Sequence, residues 1–267
     1  MLQEVAVPRS LEEAHAAVGE GARLVAGGTS VIPELNQGTD AFTRLVSLRR
    51  AGLGRVAVAD GRATLGAAAT LADLEAAPGL EWLAPALRAI ASPTIRNMAT
   101  VAGNLFVKQP YGDLAACLVA LDAVATVSDG AGTRTVPVET LARTGVAPGE
   151  IVTTIGFALP ASGAFRFHKA GRKALNAAAI VTVAATVEVA DGRVARCRIA
   201  LGGVGPGVVR ASSAEAALTG RPLDRAAAEE AGWRAVEDID PFDDAHASAW
   251  YRRRVTPVHV RRALIGE

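Results

Sequence analysis

The first segment whose residue types could do chemistry is Leu24-Val25-Ala26-Gly27-Gly28-Thr29-Ser30-Val31. An apolar run meets two glycines, then two hydroxyl residues, then an apolar turn. Without a Cβ in the way, consecutive backbone N–H groups can point into one concavity, and Thr29 and Ser30 add hydroxyl donors. A helix beginning just beyond would add its positive end. Such a loop suits a pyrophosphate with no lysine or arginine in it; an ordinary strand-to-helix turn is the alternative. A second glycine-bearing segment, Thr100-Val101-Ala102-Gly103-Asn104, invites the same pair of readings, and two such loops could face one anionic ligand. Asp113, just before Leu114-Ala115-Ala116, is either a helix N-cap or a carboxylate accepting hydrogen bonds from ligand hydroxyls.

Other signatures are missing. Gly19-Glu20-Gly21-Ala22-Arg23-Leu24 lies at a helix end, outside the strand–turn–helix context of a dinucleotide fingerprint. There is no GxxxxGK[ST] run, no GxSxG elbow and no Cys/His pair placed for covalent catalysis. A chain lacking its own acid–base set fits chemistry supplied by an electron-handling cofactor.

These segments need elements to position them. Ser10 with Glu13 reads as a capping box opening a helix at Leu11. With strands at Glu4–Val7, Arg23–Ala26 and Arg44–Ser47 and a helix at Val31–Asn36, the first fifty residues form a small α/β unit. From Val56 the texture changes. Asp60-Gly61, Asp129-Gly130 and Asp191-Gly192 are hairpin signals, Thr70 caps a helix at Leu71–Ala76, and a helix is expected over Leu80–Ile90. Leu114–Leu121 reads as a helix, Ile151–Leu159 as a strand, and Ala178–Val189 as either a helix or a long strand. The chain closes in an arginine-rich helix. Pro160-Ala161-Ser162-Gly163 is the candidate linker, giving an α+β chain with domains at 1–162 (subdivided into 1–50 and 51–162) and 163–267.

Composition narrows the class. Of 267 residues, 50% are hydrophobic and 21% charged, enough to bury a core and too little charge for disorder. Lys plus Arg number 28 against 27 acidic residues, a balance that argues against a nucleic-acid binder. The basic run Arg252-Arg253-Arg254 with Arg261-Arg262, beside Trp250 and Tyr251, then reads as a solvated helix face or an anchor to a partner subunit. Trp82 and Trp233 read as core residues. Two cysteines, Cys117 and Cys197, and four scattered histidines supply neither a disulfide framework nor an iron–sulfur or zinc ligand set, which needs about four ligands. The start of the chain lacks the pattern of a signal peptide, and Leu114–Val127 and Ala177–Val189 fall short of the ~18–20 apolar residues of a bilayer span. A reducing, cytoplasmic setting fits.

Taken in order, the segments carry a resemblance. Ala26-Gly27-Gly28-Thr29-Ser30 is followed by Ile95-Arg96-Asn97-Met98-Ala99-Thr100-Val101-Ala102-Gly103-Asn104-Leu105 and Asp113-Leu114-Ala115-Ala116. Lys169-Ala170-Gly171-Arg172, Ile199-Ala200-Leu201-Gly202-Gly203-Val204 and Val209-Arg210-Ala211 complete the series. Over nearly its whole length the chain resembles the FAD-binding medium subunit of molybdenum hydroxylases, the xanthine dehydrogenase and aerobic carbon monoxide dehydrogenase group. The Ile95–Asn104 block is the most specific part.

The resemblance implies a two-part α/β FAD-binding domain of the PCMH type, followed by a smaller α+β domain of the CO dehydrogenase flavoprotein type. It implies FAD held by Leu24, Val25, Ala26, Gly27, Gly28, Thr29, Ser30 and Val31 on one side and by Thr100, Gly103 and Asn104 on the other. Asp113 falls at a cofactor-contacting aspartate, Ile90 and Val152 at positions lining the flavin or adenine, and His168 or Lys169 at a basic position near the ring. The partners implied are a large subunit with a molybdenum cofactor and a small subunit with [2Fe–2S] clusters, in an assembly that allows a dimer of heterotrimers. Electrons would pass through FAD to NAD, a quinone or oxygen. Ala102 departs from the family's usual glycine and is tolerable only at negative φ. Alternatives are a free-standing FAD oxidoreductase of the vanillyl-alcohol-oxidase-like superfamily and a cofactor-less assembly module.

Overall fold

A computed structural model describes residues 2–38, 42–174 and 176–267. Among the described residues the chain builds three sheets, each with its own helices. The first unit runs β1 (Glu4–Ala6), α1 (Leu11–Ala17), β2 (Ala22–Val25), α2 (Val31–Gln37) and β3 (Arg44–Ser47). Its strands are parallel in the order β1-β3-β2. Ser10 accepts the Glu13 amide at 3.1 Å, but Glu13 reaches back to the Arg9 amide at 2.7 Å rather than to that of Ser10. The cap is therefore one residue wider than the capping box its sequence suggests.

The second unit comprises β4 (Val56–Ala59), β5 (Arg62–Gly66), α3 (Leu71–Ala76), α4 (Ala84–Arg88), α5 (Pro93–Arg96), α6 (Val101–Phe106) and α7 (Asp113–Ala120). It continues with β6 (Val124–Ser128), β7 (Thr133–Pro137), α8 (Val138–Thr144) and β8 (Ile151–Ala158). Its antiparallel sheet has the order β4-β5-β8-β6-β7. Asp60 and Gly61 both take positive φ, 50° and 69°, as a two-residue hairpin turn requires. Asp129-Gly130 makes a wider loop, in which the Asp129 carboxylate accepts the amides of Ala131 and Gly132.

The third unit runs β9 (Phe165–Gly171), β10 (Ala179–Ala190), β11 (Arg193–Gly202), β12 (Val209–Arg210), α9 (Ser212–Leu218), α10 (Arg225–Arg234) and α11 (Ala249–Ile265). Its antiparallel order is β12-β11-β10-β9. The segment Ala178–Val189, open between helix and strand, is strand β10.

Helix α7 ties the second and third units together. All eight of its residues are buried. One side belongs to the core of the second unit, and it also packs on β10 and β11. Strand alternation divides the third sheet. Ala184 and Ala200 join that shared core, whereas Val181, Val183, Ala185, Ile199 and Leu201 pack with the helices behind. Leu114 and Leu118, wholly enclosed, each contribute about 1.5–3 kcal/mol of burial. This double contact explains why Leu114–Val127 is so apolar without spanning a membrane; among the described residues no helix is long and apolar enough to do so.

Several local expectations change. Leu80–Ile90 divides into a 3-10 turn at Glu81–Leu83 and α4, with Pro85 near the start of α4. Helix α8 carries no expectation from the sequence. Trp82 packs at the core edge against Phe157 and Phe165, but Trp233 is 64% exposed. Arg252 is not part of a solvated face: it is wholly buried, with Nη1 donating to the carbonyls of Ala179, Ile180 and Gly203 and Nη2 paired to Asp244 at 2.7 Å.

Candidate cofactor site

The first glycine corner leaves β2 between two small cores. Leu24 and Ala26 pack toward Ala14, Leu48 and Ala51, while Val25 and Val31 pack toward Phe42 and Leu45. Gly28 has φ +74°, a conformation that strongly favours glycine. The amides of Ala26, Gly27, Gly28, Thr29 and Ser30 have no protein acceptor among the described residues. Ser30 precedes α2 without a side-chain cap bond. This half-buried run of N–H groups and two hydroxyls thus offers donors that no protein acceptor takes up among the described residues.

The second corner faces the first. A Cβ added to Gly27 would lie 1.9 Å from the Met98 carbonyl oxygen and 3.1 Å from the Ala99 Cα. The backbone of the first loop thus lies directly on the residues that lead into Thr100. The second corner itself is helical, not an open loop. Thr100 is the N-cap of α6, and its Oγ1 accepts the Gly103 amide at 3.3 Å. The amides of Val101 and Ala102 go to the carbonyls of Ala69 and Ala67, and that of Asn104 to Thr100. The amides from Val101 to Asn104 are thus satisfied within the protein, whereas those of the first corner are not. Ala102 is an interior residue of α6 and is absent from the positive-φ residues, so its methyl adds no backbone strain.

From Asn104 the contacts continue to α7. The Asn104 Oδ1 accepts the Ala115 amide at 3.3 Å, and the Asn104 carbonyl sits 2.7 Å from where a Cβ on Gly112 would be. The N-cap of α7 is Gly112, at φ +90°, and Asp113 is the first helical residue. The Asp113 carboxylate does not cap; it accepts Lys169 Nζ at 2.7 Å through Oδ2 and Thr182 Oγ1 through Oδ1. Lys169 also donates to the Ala89 carbonyl at 3.0 Å. Asp113 and Lys169 are enclosed, with side chains only 5% and 10% exposed. His168 points the opposite way along β9, and its Nε2 lies 2.9 Å from Nδ1 of His259 on α11, rings stacked at 5.0 Å. Burial and the nearby Arg262 lower the pKa of His168; burial, His168 and Arg262 push His259 down to about 4.

Ile90 and Val152 are buried in the shared core. Ile90 follows Ala89, the carbonyl held by Lys169, and the Ile90 and Ala91 carbonyls are both held by Arg96 at 3.1 Å. Three clamped carbonyls fix this turn, in which Ala91 takes φ +48°. Val152 precedes Thr153, whose carbonyl accepts the Ala67 amide next to the second corner. The structure therefore links Gly27, Thr100, Gly103, Asn104, Asp113, Lys169 and Ile90 through consecutive contacts, with Val152 behind them and His168 on the far side of β9. Thr182 and Arg96 belong to this set, and the sequence reading misses their roles. A lone threonine in an otherwise apolar strand, and an arginine buried at a short helix end, are the signals that could have found them.

A parallel α/β unit with a donor-rich glycine corner, closed against a second α+β unit, defines a nucleotide-cofactor-binding protein with no metal ligand cluster among the described residues. Residues 2–161 match the FAD binding domain in molybdopterin dehydrogenase, and residues 165–266 match the CO dehydrogenase flavoprotein C-terminal domain. The chain belongs to this family of FAD-binding medium subunits of molybdenum hydroxylases. It is 30% identical to the 6-hydroxypseudooxynicotine dehydrogenase complex subunit alpha of Paenarthrobacter nicotinovorans, over 92% of this chain and 86% of that protein. It is 29% identical to the carbon monoxide dehydrogenase medium chain of Afipia carboxidovorans, over 96% of this chain and 93% of that one. The fold is similar to that of carbon monoxide dehydrogenase from Hydrogenophaga pseudoflava, with a TM-score of 0.93 at 28% identity, covering 99% of this chain and 96% of the other.

Proposed function

We propose that this chain is the FAD-carrying electron-transfer subunit of a molybdenum hydroxylase. The observation that carries the reading is the row of unsatisfied amides from Ala26 to Ser30 facing the Met98–Ala99 backbone. It is the kind of cradle that a diphosphate fills and that an added Cβ would block.

In this reading the amides of Gly27 and Gly28 and the hydroxyls of Thr29 and Ser30 receive the diphosphate. Leu24, Val25, Ala26 and Val31 hold the corner against its two small cores. Thr100, Gly103 and Asn104 form the opposing wall. Asp113 and Lys169 offer fixed polar groups, with Thr182 orienting the carboxylate. Ile90 and Val152 offer apolar surface. Of the two basic candidates on β9 we assign Lys169, because its ammonium faces Asp113 while His168 faces α11. Bound FAD would supply the conversion between single-electron arrival and two-electron departure, to NAD, a quinone or oxygen. The protein's own part is to hold and orient the cofactor.

The partners in this reading are a large subunit carrying the molybdenum cofactor and a small subunit carrying [2Fe–2S] clusters, working in the cytoplasm as a heterotrimer that can pair into a dimer. The test is to purify the chain with its partners, denature it and identify what is released. One FAD per chain, reduced when the substrate of the molybdenum subunit is added, is the expected result. A colourless complex that takes up no added FAD would contradict the proposal.

A further inference from the structure

The stretch from α6 into α7 carries side-chain donors that the protein leaves unused. Asn104 and Gln109, each 8% exposed, are the only buried carboxamides among the described residues. Both are anchored in the same way. The Asn104 Oδ1 accepts the Ala115 amide at 3.3 Å, and the Gln109 Oε1 accepts the Gly203 amide at 2.6 Å. A backbone N–H can only donate, so these bonds fix which end of each carboxamide is the oxygen. The amino ends, Asn104 Nδ2 and Gln109 Nε2, have no acceptor among the described residues. Neither is one of the side-chain atoms sealed from solvent without a partner, so both reach open space.

Gln109 is firmly placed. Gly203, just past β11, is held at both ends: its N–H by Gln109 and its carbonyl by Arg252 Nη1 at 2.8 Å. Gln109 also lies beside the Asp113–Lys169 pair. Thr182, which donates to Asp113, pairs across the sheet with Lys169 on β9 and with Gly202 on β11. Directly opposed residues share a face, so Lys169, Thr182 and Gly202 form one row against the start of α7. Gly202 brings no side chain to that row. A Cβ there would stand 3.3 Å from that of Thr182 and 3.6 Å from Gln109 Oε1, so Gln109 and Thr182 flank the same position. The result is a buried polar row in which Thr182, Asp113 and Lys169 bond to one another and the Gln109 amino group keeps both of its N–H donors.

We propose that Gln109 is a further binding residue of the cofactor site, its Nε2 donating to an oxygen or nitrogen acceptor of the flavin ring while its Oε1 stays on Gly203. The inference deepens the reading of this chain as an FAD carrier, with Lys169 at the ring, and rests on it. The competing role is a clip alone, joining the loop before α7 to the end of β11.

Gln109→Glu separates the two roles: it keeps an oxygen for the Gly203 amide and replaces the amino group by a second oxygen. The test uses the complex of this chain with its partner subunits, freed of flavin and titrated with FAD. Gln109→Glu is expected to raise the FAD dissociation constant by about tenfold or more and to shift the visible absorption of the flavin that binds. Wild-type affinity with an unshifted spectrum would overturn the proposal and leave Gln109 as a clip. A second measurement does not depend on the variant folding. In the wild-type complex crystallised with FAD, Nε2 is expected within about 2.7–3.2 Å of a ring acceptor, and a separation beyond about 3.5 Å from every such atom would also overturn the proposal. A wild-type complex that takes up no FAD would contradict the proposed function and this inference with it, whereas normal uptake with an unaffected variant contradicts this inference alone.

Discussion

Lys169 Nζ lies 2.7 Å from Asp113 Oδ2, joining the first strand of the third unit to the first turn of α7. Both groups are enclosed, so neither has water to replace the other. Truncating Lys169 to Met is expected to destabilise the protein by about 3–5 kcal/mol, because a buried carboxylate would lose its counter-ion. The double variant Lys169→Met with Asp113→Asn should recover much of that loss. A double-mutant cycle of unfolding midpoints reads the difference, and additive effects would contradict a coupled pair.

The glycine corner gives a second expectation. Gly28 sits at φ +74°, and Gly27 has the Met98 carbonyl where its Cβ would be. Gly27→Ala, by forcing the two corners apart, and Gly28→Val, by straining a positive φ and crowding Ile32, should each reduce bound flavin to less than about a tenth of wild type. The third sheet lies elsewhere in the chain, so most of the far-ultraviolet circular dichroism should remain. Unchanged flavin per chain would contradict the role assigned to this loop.

Arg252 leads to a third. Its guanidinium is wholly enclosed, anchoring α11 to three carbonyls and to Asp244. Arg252→Met should destabilise the protein by about 3–5 kcal/mol, a fall in unfolding midpoint of roughly 10 °C. Thermal unfolding checks this; a shift within about 2 °C would mean the buried contacts contribute little.

How much of this was legible in the sequence follows from what each signal depends on. The hairpins at Asp60-Gly61 and Asp191-Gly192 were legible because positive φ at two adjacent residues is a local demand, met here at both positions. Of the glycine corners, only Gly28 makes such a demand, at φ +74°; Gly103 sits inside α6, so the turn expected there is a helix. Whether Lys169 or His168 faces α7 was not legible, because neighbouring residues of a strand point opposite ways and only the packed sheet says which side is inward. Thr182 was hidden by its strand's apolar context, and Arg252 by its arginine-rich neighbours, since burial of one cation in such a run is decided by Asp244 and three distant carbonyls.

The stacked histidines predict a pH dependence. His259 is held down to about 4 in the folded chain, and His168 is also lowered, against about 6.5 for an unfolded histidine. As pH falls from about 6.5 toward 4, the unfolded chain binds protons that the folded chain refuses, so stability falls over that window and is fully present above it. The groups involved are His168 on β9, and His259 and Arg262 on α11. His259→Phe should flatten the slope of unfolding midpoint against pH between about 4 and 6.5. An identical slope in the variant would contradict neutral, stacked rings.

The most direct measurement is a crystal structure of the purified complex with FAD bound. The account predicts diphosphate oxygens within about 2.7–3.2 Å of the amides of Gly27 and Gly28 and of the Thr29 and Ser30 hydroxyls, with the Met98–Ala99 backbone closing the other side. A diphosphate lying elsewhere, with those donors turned to water, would contradict it.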